Sequence, residues 1–219
     1  MTGAATAPSQ SSTRTPVFLP YQVVPNWLPR DAAAGLLQYA LTNEDRFTDG
    51  RVYHEGASKV DPALRKTRVL HDLGPFAALI REAARASQAE IERTLRVPAF
   101  GADYFEIELA AHGHGAHFDR HIDTFVGSYR NASSRVLTLV YYLLREPKAF
   151  AGGALRMHGL GGRSEAEARV QDIEPRHNQL VAFPSIAPHS VGEVDCPSNE
   201  FADSRFAVNI WIHRKEGPK

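Results

Sequence analysis

The chain has 219 residues and 25 Lys+Arg against 25 Asp+Glu, so its formal charge at pH 7 is zero; that balance gives no reason to expect nucleic acid or an anionic membrane as a partner. A chain this long buries roughly 70% of its unfolded surface and needs no covalent or metal staple to fold. Its single cysteine, Cys196, excludes an intramolecular disulfide framework and a Cys-rich zinc ribbon, and its longest apolar stretch, 137–144, falls far short of a membrane span.

Residues 1–16 are rich in Ala, Ser, Thr and Pro, carry one charge (Arg14) and lack the basic-then-apolar plan of a secretory signal. A flexible tail is expected there, on a cytoplasmic protein with no membrane attachment. Asp31 precedes an Ala/Leu-rich run over 32–41 and can accept a hydrogen bond from the first helical N–H groups, so a helix capped by Asp31 is expected. Over 73–95, Leu79, Ile80, Ala83, Ala84, Ile91 and Leu95 recur at helical spacing, with Pro75 suited to a first turn and Pro98 beyond the end.

After Phe100 short β-branched and aromatic runs alternate with Gly, Pro, Asn and His. Strands are expected at 103–110, 117–122, 135–144, 154–158, 169–173, 179–183, 189–194 and 206–213, with a turn at 175–178. Helices first and strands afterwards point to an α+β chain with a mainly β core, a sandwich or barrel such as a jelly roll. No internal repeat or linker divides it. One domain is expected over 17–219, with helical support over about 17–100 and the β core over about 101–214.

The candidate chemistry lies in His121, Asp123, His189 and Arg205. On an extended strand alternate side chains share a face, so His121-Ile-Asp123 brings an imidazole and a carboxylate together. His189, from a later strand, supplies a third ligand if sheets pack face to face. Two imidazoles and one carboxylate leave part of an octahedron open, which suits Fe(II). Against this stands a plainer reading, since ten histidines make chance His-x-Asp pairs on a surface common.

Six elements occur in order: His121-Ile-Asp123, Arg135-Val-Leu-Thr-Leu-Val-Tyr-Tyr-Leu143, Gly152-Gly153-Ala-Leu155, Gln179-Leu-Val-Ala-Phe183, Pro188-His189-Ser-Val191 and Arg205-Phe-Ala-Val-Asn-Ile-Trp211. Together, over about 104–213, they resemble the Fe(II)/2-oxoglutarate-dependent dioxygenases, in their prolyl-4-hydroxylase-like branch. The resemblance implies a double-stranded β-helix in which His121, Asp123 and His189 hold Fe(II). It also implies 2-oxoglutarate and O2 as co-substrates, with a place for ascorbate, and hydroxylation of a C–H bond with release of succinate and CO2. Asp123 favours hydroxylation over halogenation, because halogenases of this superfamily lack that carboxylate.

By the same resemblance Arg205 binds the distal carboxylate of 2-oxoglutarate, a task that suits a guanidinium fork. Sixteen positions separate His189 from Arg205, a wider gap than relatives show, and 192–204 is read as a longer turn. Tyr142 matches a tyrosine that touches the same carboxylate. Thr138 shares its parity, and Asn209 and Trp211 share that of Arg205, so all are expected to line the cavity; core packing is the alternative for each. Ala111 stands ten positions before His121, where relatives often carry a tyrosine. His112, His114 and His117 follow, either as an entrance loop replacing that hydroxyl or as solvated side chains.

Substrates in this branch are peptidyl prolines, free amino acids or other small molecules; Tyr129 and Arg130, in the loop 126–134, and the segment 48–66 are candidate contacts. Nothing in the chain resembles a basic, aromatic strip for single-stranded nucleic acid. A cupin-like binder, non-catalytic or holding a different metal, is the competing reading; it accounts for the sheets and the His/Asp/His set but leaves Arg205 without a task.

Overall fold

A computed structural model describes residues 17–54, 57–124, 135–160 and 169–215. The expected tail over 1–16 and the substrate loop over 126–134 lie outside them. In chain order the elements are β1 (Gln22–Pro25), α1 (Arg30–Thr42), β2 (Thr48–Asp49), β3 (Val52–His54), β4 (Ala57–Lys59), β5 (Arg65–Lys66), β6 (Arg68–Leu70) and α2 (Phe76–Leu95). Then come β7 (Ala102–His112), β8 (His117–His121), β9 (Arg135–Leu143), β10 (Ala151–Gly152), β11 (Leu155–His158) and β12 (Val170–Ile173). The last are β13 (Gln179–Pro184), β14 (His189–Val191), β15 (Val194–Asp195) and β16 (Arg205–Arg214).

Two antiparallel sheets form the body. The larger has the order β1-β13-β9-β16-β7-β6-β2, and the smaller β12-β11-β14-β8-β5. Facing each other, they make a double-stranded β-helix, or jelly roll.

The strict alternation of side chains along β9 and β16 builds both faces of the larger sheet. Leu137, Leu139, Tyr141 and Leu143, with Phe206, Val208, Ile210 and Ile212, pack with Leu36 of α1 and Ile80, Ile91 and Leu95 of α2. Val140, Tyr142 and Ala207 point the other way, against Leu155 and Met157 of the smaller sheet and Val181 and Phe183 of β13. Because both faces are covered, these strands are apolar almost throughout. The inward parity expected for Thr138, Tyr142, Asn209 and Trp211 follows from the same register.

Three expectations need correction. The N-terminal half is not purely helical: β1, β2 and β6 extend the larger sheet and β5 the smaller one. These strands are two to four residues long, too short to show a period, and are held by the longer strands they join. Asp31 does not cap α1. Pro29 holds the cap position without a side-chain hydrogen bond, and Asp31 lies within the first turn, where its charge suits the helix dipole. The segment 192–204 is more than a turn, since β15 within it pairs with β10, and a short 3-10 turn, Phe201–Asp203, precedes Ser204. No described helix is long and apolar enough to cross a membrane.

Candidate metal and keto-acid site

His121 ends β8 and His189 begins β14, and the two are directly opposite in the antiparallel register. Asp123 follows β8 by two residues, and its N–H donates to the Ser185 carbonyl at 2.9 Å. One ligand atom from each residue falls within 4.8 Å of the others. His121 Nε2 lies 3.6 Å from Asp123 Oδ1, and His189 Nε2 lies 3.5 Å from Oδ2.

Backbone carbonyls fix which ring nitrogens face inward. His121 Nδ1 donates to Asp119 O at 2.7 Å and His189 Nδ1 to Ala187 O at 2.9 Å. A carbonyl accepts only, so each neutral ring carries its proton on Nδ1 and turns the Nε2 lone pair toward the carboxylate. Phe118 stacks on His121 at 3.7 Å between centroids, and the Arg65 guanidinium covers Phe118 at 5.1 Å.

Burial pushes the His189 imidazole down to about 4, helped by His121 and opposed by Asp123. Burial pushes the Asp123 carboxyl up, but in the acid range where it titrates the positive charge on protonated His189 and His121, with the hydrogen bond from Thr138, outweighs burial and holds the group far below the usual carboxylate range. At neutral pH the set is therefore a neutral His189 facing an ionised carboxylate, the protonation that metal binding requires. The donor set, two imidazole nitrogens and one carboxylate oxygen, fits Fe(II).

Thr138 donates its hydroxyl to Asp123 Oδ2 at 2.8 Å and lies 2.9 Å from Ser185 Oγ. What the structure shows it offering is orientation of the carboxylate. The three ligands, Thr138, Asn209, Trp211 and Arg205 all line one small inner cavity. Arg205 is 1% exposed. Its Nε donates to Gly153 O at 2.7 Å, and its Cζ sits 4.9 Å from the Tyr142 ring centroid. Its Nη2 and the Tyr142 hydroxyl are buried with no hydrogen-bond partner among the described residues. Burial pushes the Tyr142 phenol up, so it remains a donor. Two neighbouring orphaned donors, the cationic one on a residue that lines the cavity, are what a carboxylate would satisfy.

Gly153 makes this arrangement possible. Its φ is +69°, and a Cβ there would lie 2.8 Å from Arg205 Cδ. Asn209 donates to Glu108 Oε1 at 3.3 Å, and Glu108 also pairs with Arg65 at 2.5 Å. His112 is neither solvated nor in an entrance loop: it ends β7, is 4% exposed, and lies 3.3 Å from Arg205 Nη1. Burial first, then the charges of Arg205 and Arg65, hold it well below an ordinary imidazole, so it adds no charge there. His114 and His117 do lie toward the surface, making backbone hydrogen bonds to Cys196 N and to Gly115 O and Ala63 O.

An outer cavity of about 560 Å³ opens beside His121 and Asp123, walled by Arg65, Glu108, Phe118, Arg135 and Trp211. Another, of about 470 Å³, lies beyond Arg65, beside Asp49, Lys66 and His114, and none of the three ligands lines it. Sequence reasoning missed Arg65, Glu108, Phe118, Arg135 and Ser185. Buried Arg–Glu pairs look like surface charge in a sequence, and a serine or phenylalanine at a strand end carries no pattern of its own.

Comparison with known proteins agrees with this geometry. Residues 107–213 match the family model of the 2OG-Fe(II) oxygenase superfamily. An uncharacterised PKHD-type hydroxylase of Synechocystis is 32% identical over 206 residues, covering 91% of this chain; the chain spans 65% of that relative's length. The prolyl-4-hydroxylase of Pseudomonas putida superposes with a TM-score of 0.65 at 22% identity, covering 90% of this chain and 93% of the other. A Trichoplax adhaerens prolyl hydroxylase, solved with a hypoxia inducible factor peptide fragment, gives 0.67 at 18% identity, covering 89% and 83%.

Proposed function

Because the chain belongs to the 2OG-Fe(II) oxygenase superfamily, whose members use Fe(II), 2-oxoglutarate and O2, we propose that it hydroxylates a C–H bond of a peptidyl, amino-acid-like or other small-molecule substrate. The observation that carries this reading is a cavity lined by both the His/Asp/His set and Arg205, whose Nη2 is an orphaned donor beside a second one, the hydroxyl of the adjacent Tyr142. A cupin-like binder leaves those donors unexplained. The peptidyl option draws on the Trichoplax neighbour, which was solved with a peptide. Residues 17–219 act as one domain in this proposal.

His121, Asp123 and His189 would hold the metal, and Arg205 with Tyr142 the distal carboxylate of 2-oxoglutarate. Bound Fe(II) would supply the oxidative chemistry in which 2-oxoglutarate and O2 become succinate and CO2 and a substrate C–H becomes C–OH. The chain's own residues prepare that chemistry. Carbonyl-fixed imidazoles present Nε2 without a proton to lose, and Thr138 with Ser185 sets the carboxylate's direction. Arg205 and Tyr142 fix the co-substrate's far end, and Asn209 and Trp211 wall the space between. Phe118 and Phe183, each against a ligand imidazole, keep water from its flank.

Anaerobic addition of Fe(II) and then 2-oxoglutarate to purified protein tests this. A visible charge-transfer band that needs both is the expected result. No band, or one that survives Asp123→Ala, counts against it.

A further inference from the structure

His112 and Arg205 are cross-strand partners on β7 and β16. His112 is 4% exposed and lines the same inner cavity as Arg205 and the three ligands. Its Nδ1 lies 3.3 Å from two groups of one residue, the Arg205 carbonyl and Arg205 Nη1. Its Nε2 makes no hydrogen bond with the described residues. Burial, then the charges of Arg205 and Arg65, keep the ring uncharged.

An uncharged imidazole carries one proton on one of its two nitrogens, and the two contacts of Nδ1 ask for opposite forms. The carbonyl only accepts and would need Nδ1–H. The guanidinium only donates and needs the Nδ1 lone pair. The guanidinium prevails, because a hydrogen bond from a cation is roughly twice as strong as one between neutral groups. Arg205 Nη2 already lacks an acceptor, and Nη1 has His112 Nδ1 alone among the described residues. A proton on Nδ1 would leave both tips of a buried cation unsatisfied and set donor against donor. The proton therefore belongs on Nε2, the nitrogen without a partner.

Both nitrogens belong to one small ring, so Nε2–H stays beside the guanidinium that Nδ1 holds. Arg205 Nη2 and the Tyr142 hydroxyl are the other unpaired donors there. Among the described residues the only acidic side chain lining the cavity is Asp123, which belongs to the metal set, so their acceptor comes from outside the chain. A carboxylate, with about four lone-pair sites, has room for all three. We infer that His112 Nε2–H is a further donor to the distal carboxylate of 2-oxoglutarate, and that Arg205 selects the tautomer that makes it one. This rests on the site reading given above.

A long-range proton–nitrogen correlation spectrum of isotope-labelled protein tests this, since the protonated and the bare nitrogen of one imidazole resonate far apart. The His112 ring, assigned through its own backbone amide, is expected to carry its proton on Nε2 in the ligand-free protein. Adding 2-oxoglutarate to protein loaded with Zn(II), which is inert in this oxidation, is expected to move that proton to lower field, as a hydrogen bond to an anion requires. The same chain length with a methyl group in place of the distal carboxylate, 2-oxopentanoate, is expected to leave it in place. His112→Leu is expected to weaken 2-oxoglutarate by about tenfold, the size of one hydrogen bond, with Zn(II) affinity unchanged.

A proton on Nδ1 overturns the inference. So does an Nε2 proton that ignores 2-oxoglutarate, or one that 2-oxopentanoate moves as far. A folded His112→Leu that binds 2-oxoglutarate as the parent does, or that loses Zn(II) in equal measure, overturns it as well. The spectra need no variant, so they decide even if His112→Leu fails to fold. Failure of the native protein to take up Zn(II) and 2-oxoglutarate overturns the site reading itself, and is distinguishable because the tautomer is read before any ligand is added.

Discussion

His121 and His189 are cross-strand partners whose ring centroids lie 4.2 Å apart, and each gives its Nδ1 proton to the carbonyl two residues before it. The two imidazoles thus reach the same tautomer by the same local device on different strands. The third ligand has another kind of support, a side-chain hydroxyl, and that difference is open to mutation.

Thr138→Val keeps the shape of the side chain but removes the donor to Asp123 Oδ2. Loss of such an outer hydrogen bond typically weakens metal binding about 10–100-fold. Titration of the purified variant with Co(II), followed by its visible spectrum, measures this. Affinity equal to the parent's would show that Asp123 is held without the hydroxyl.

Arg205→Ala removes the only arginine or lysine lining the inner cavity among the described residues other than Arg65, which Glu108 already neutralises. A charge-assisted contact is worth about 1.5–3 kcal/mol, so 2-oxoglutarate affinity is expected to fall by one to two orders of magnitude while metal affinity holds. Calorimetric titration of each ligand separates the two. Parallel loss of both would mean that Arg205 supports the fold rather than the keto-acid.

Gly153→Ala places a Cβ 2.8 Å from Arg205 Cδ at a φ of +69°. Strain of this kind costs about 1–3 kcal/mol. A lower melting temperature is expected together with weaker 2-oxoglutarate binding, because the displaced group is the stem of the proposed anchor. A melting temperature within error of the parent's would contradict the close approach.

The metal-free protein should lose stability in mild acid. His189 has a folded value of about 4 against an ordinary 6.5, so between those values the unfolded chain binds a proton that the folded one does not, and stability falls as pH drops through that window. Asp123, depressed in the fold, contributes in the same direction: its stabilisation is present above the ordinary carboxylate value and is lost below it. Melting temperatures from pH 7 to pH 4 test the slope, which His189→Gln should flatten.

The residues that build the site were legible where periodicity or spacing carried them. Alternation along β9 and β16 assigned Thr138, Tyr142, Asn209 and Trp211 to one interior face, and the register agrees. His121-x-Asp123 needed only the geometry of a strand end. What lay outside reach depended on partners far along the chain. Arg68-Val-Leu70 becomes a strand because β7 offers it free hydrogen-bonding groups, and His112 is buried because Arg205 lies across from it. The same holds for Arg65, whose burial is tolerable only beside Glu108.

Asp123 follows a strand of the smaller sheet, yet its described bonds reach across to the larger sheet or its margin: its N–H to Ser185 O, its Oδ2 from Thr138, and its carbonyl from Arg135 Nη1 at 3.2 Å. Ligand convergence and the spacing between the sheets are therefore a single mechanical variable. Heat or denaturant that first loosens the sandwich would draw the carboxylate away from the two imidazoles, so bound metal should escape at an earlier point in the transition than the strands themselves come apart.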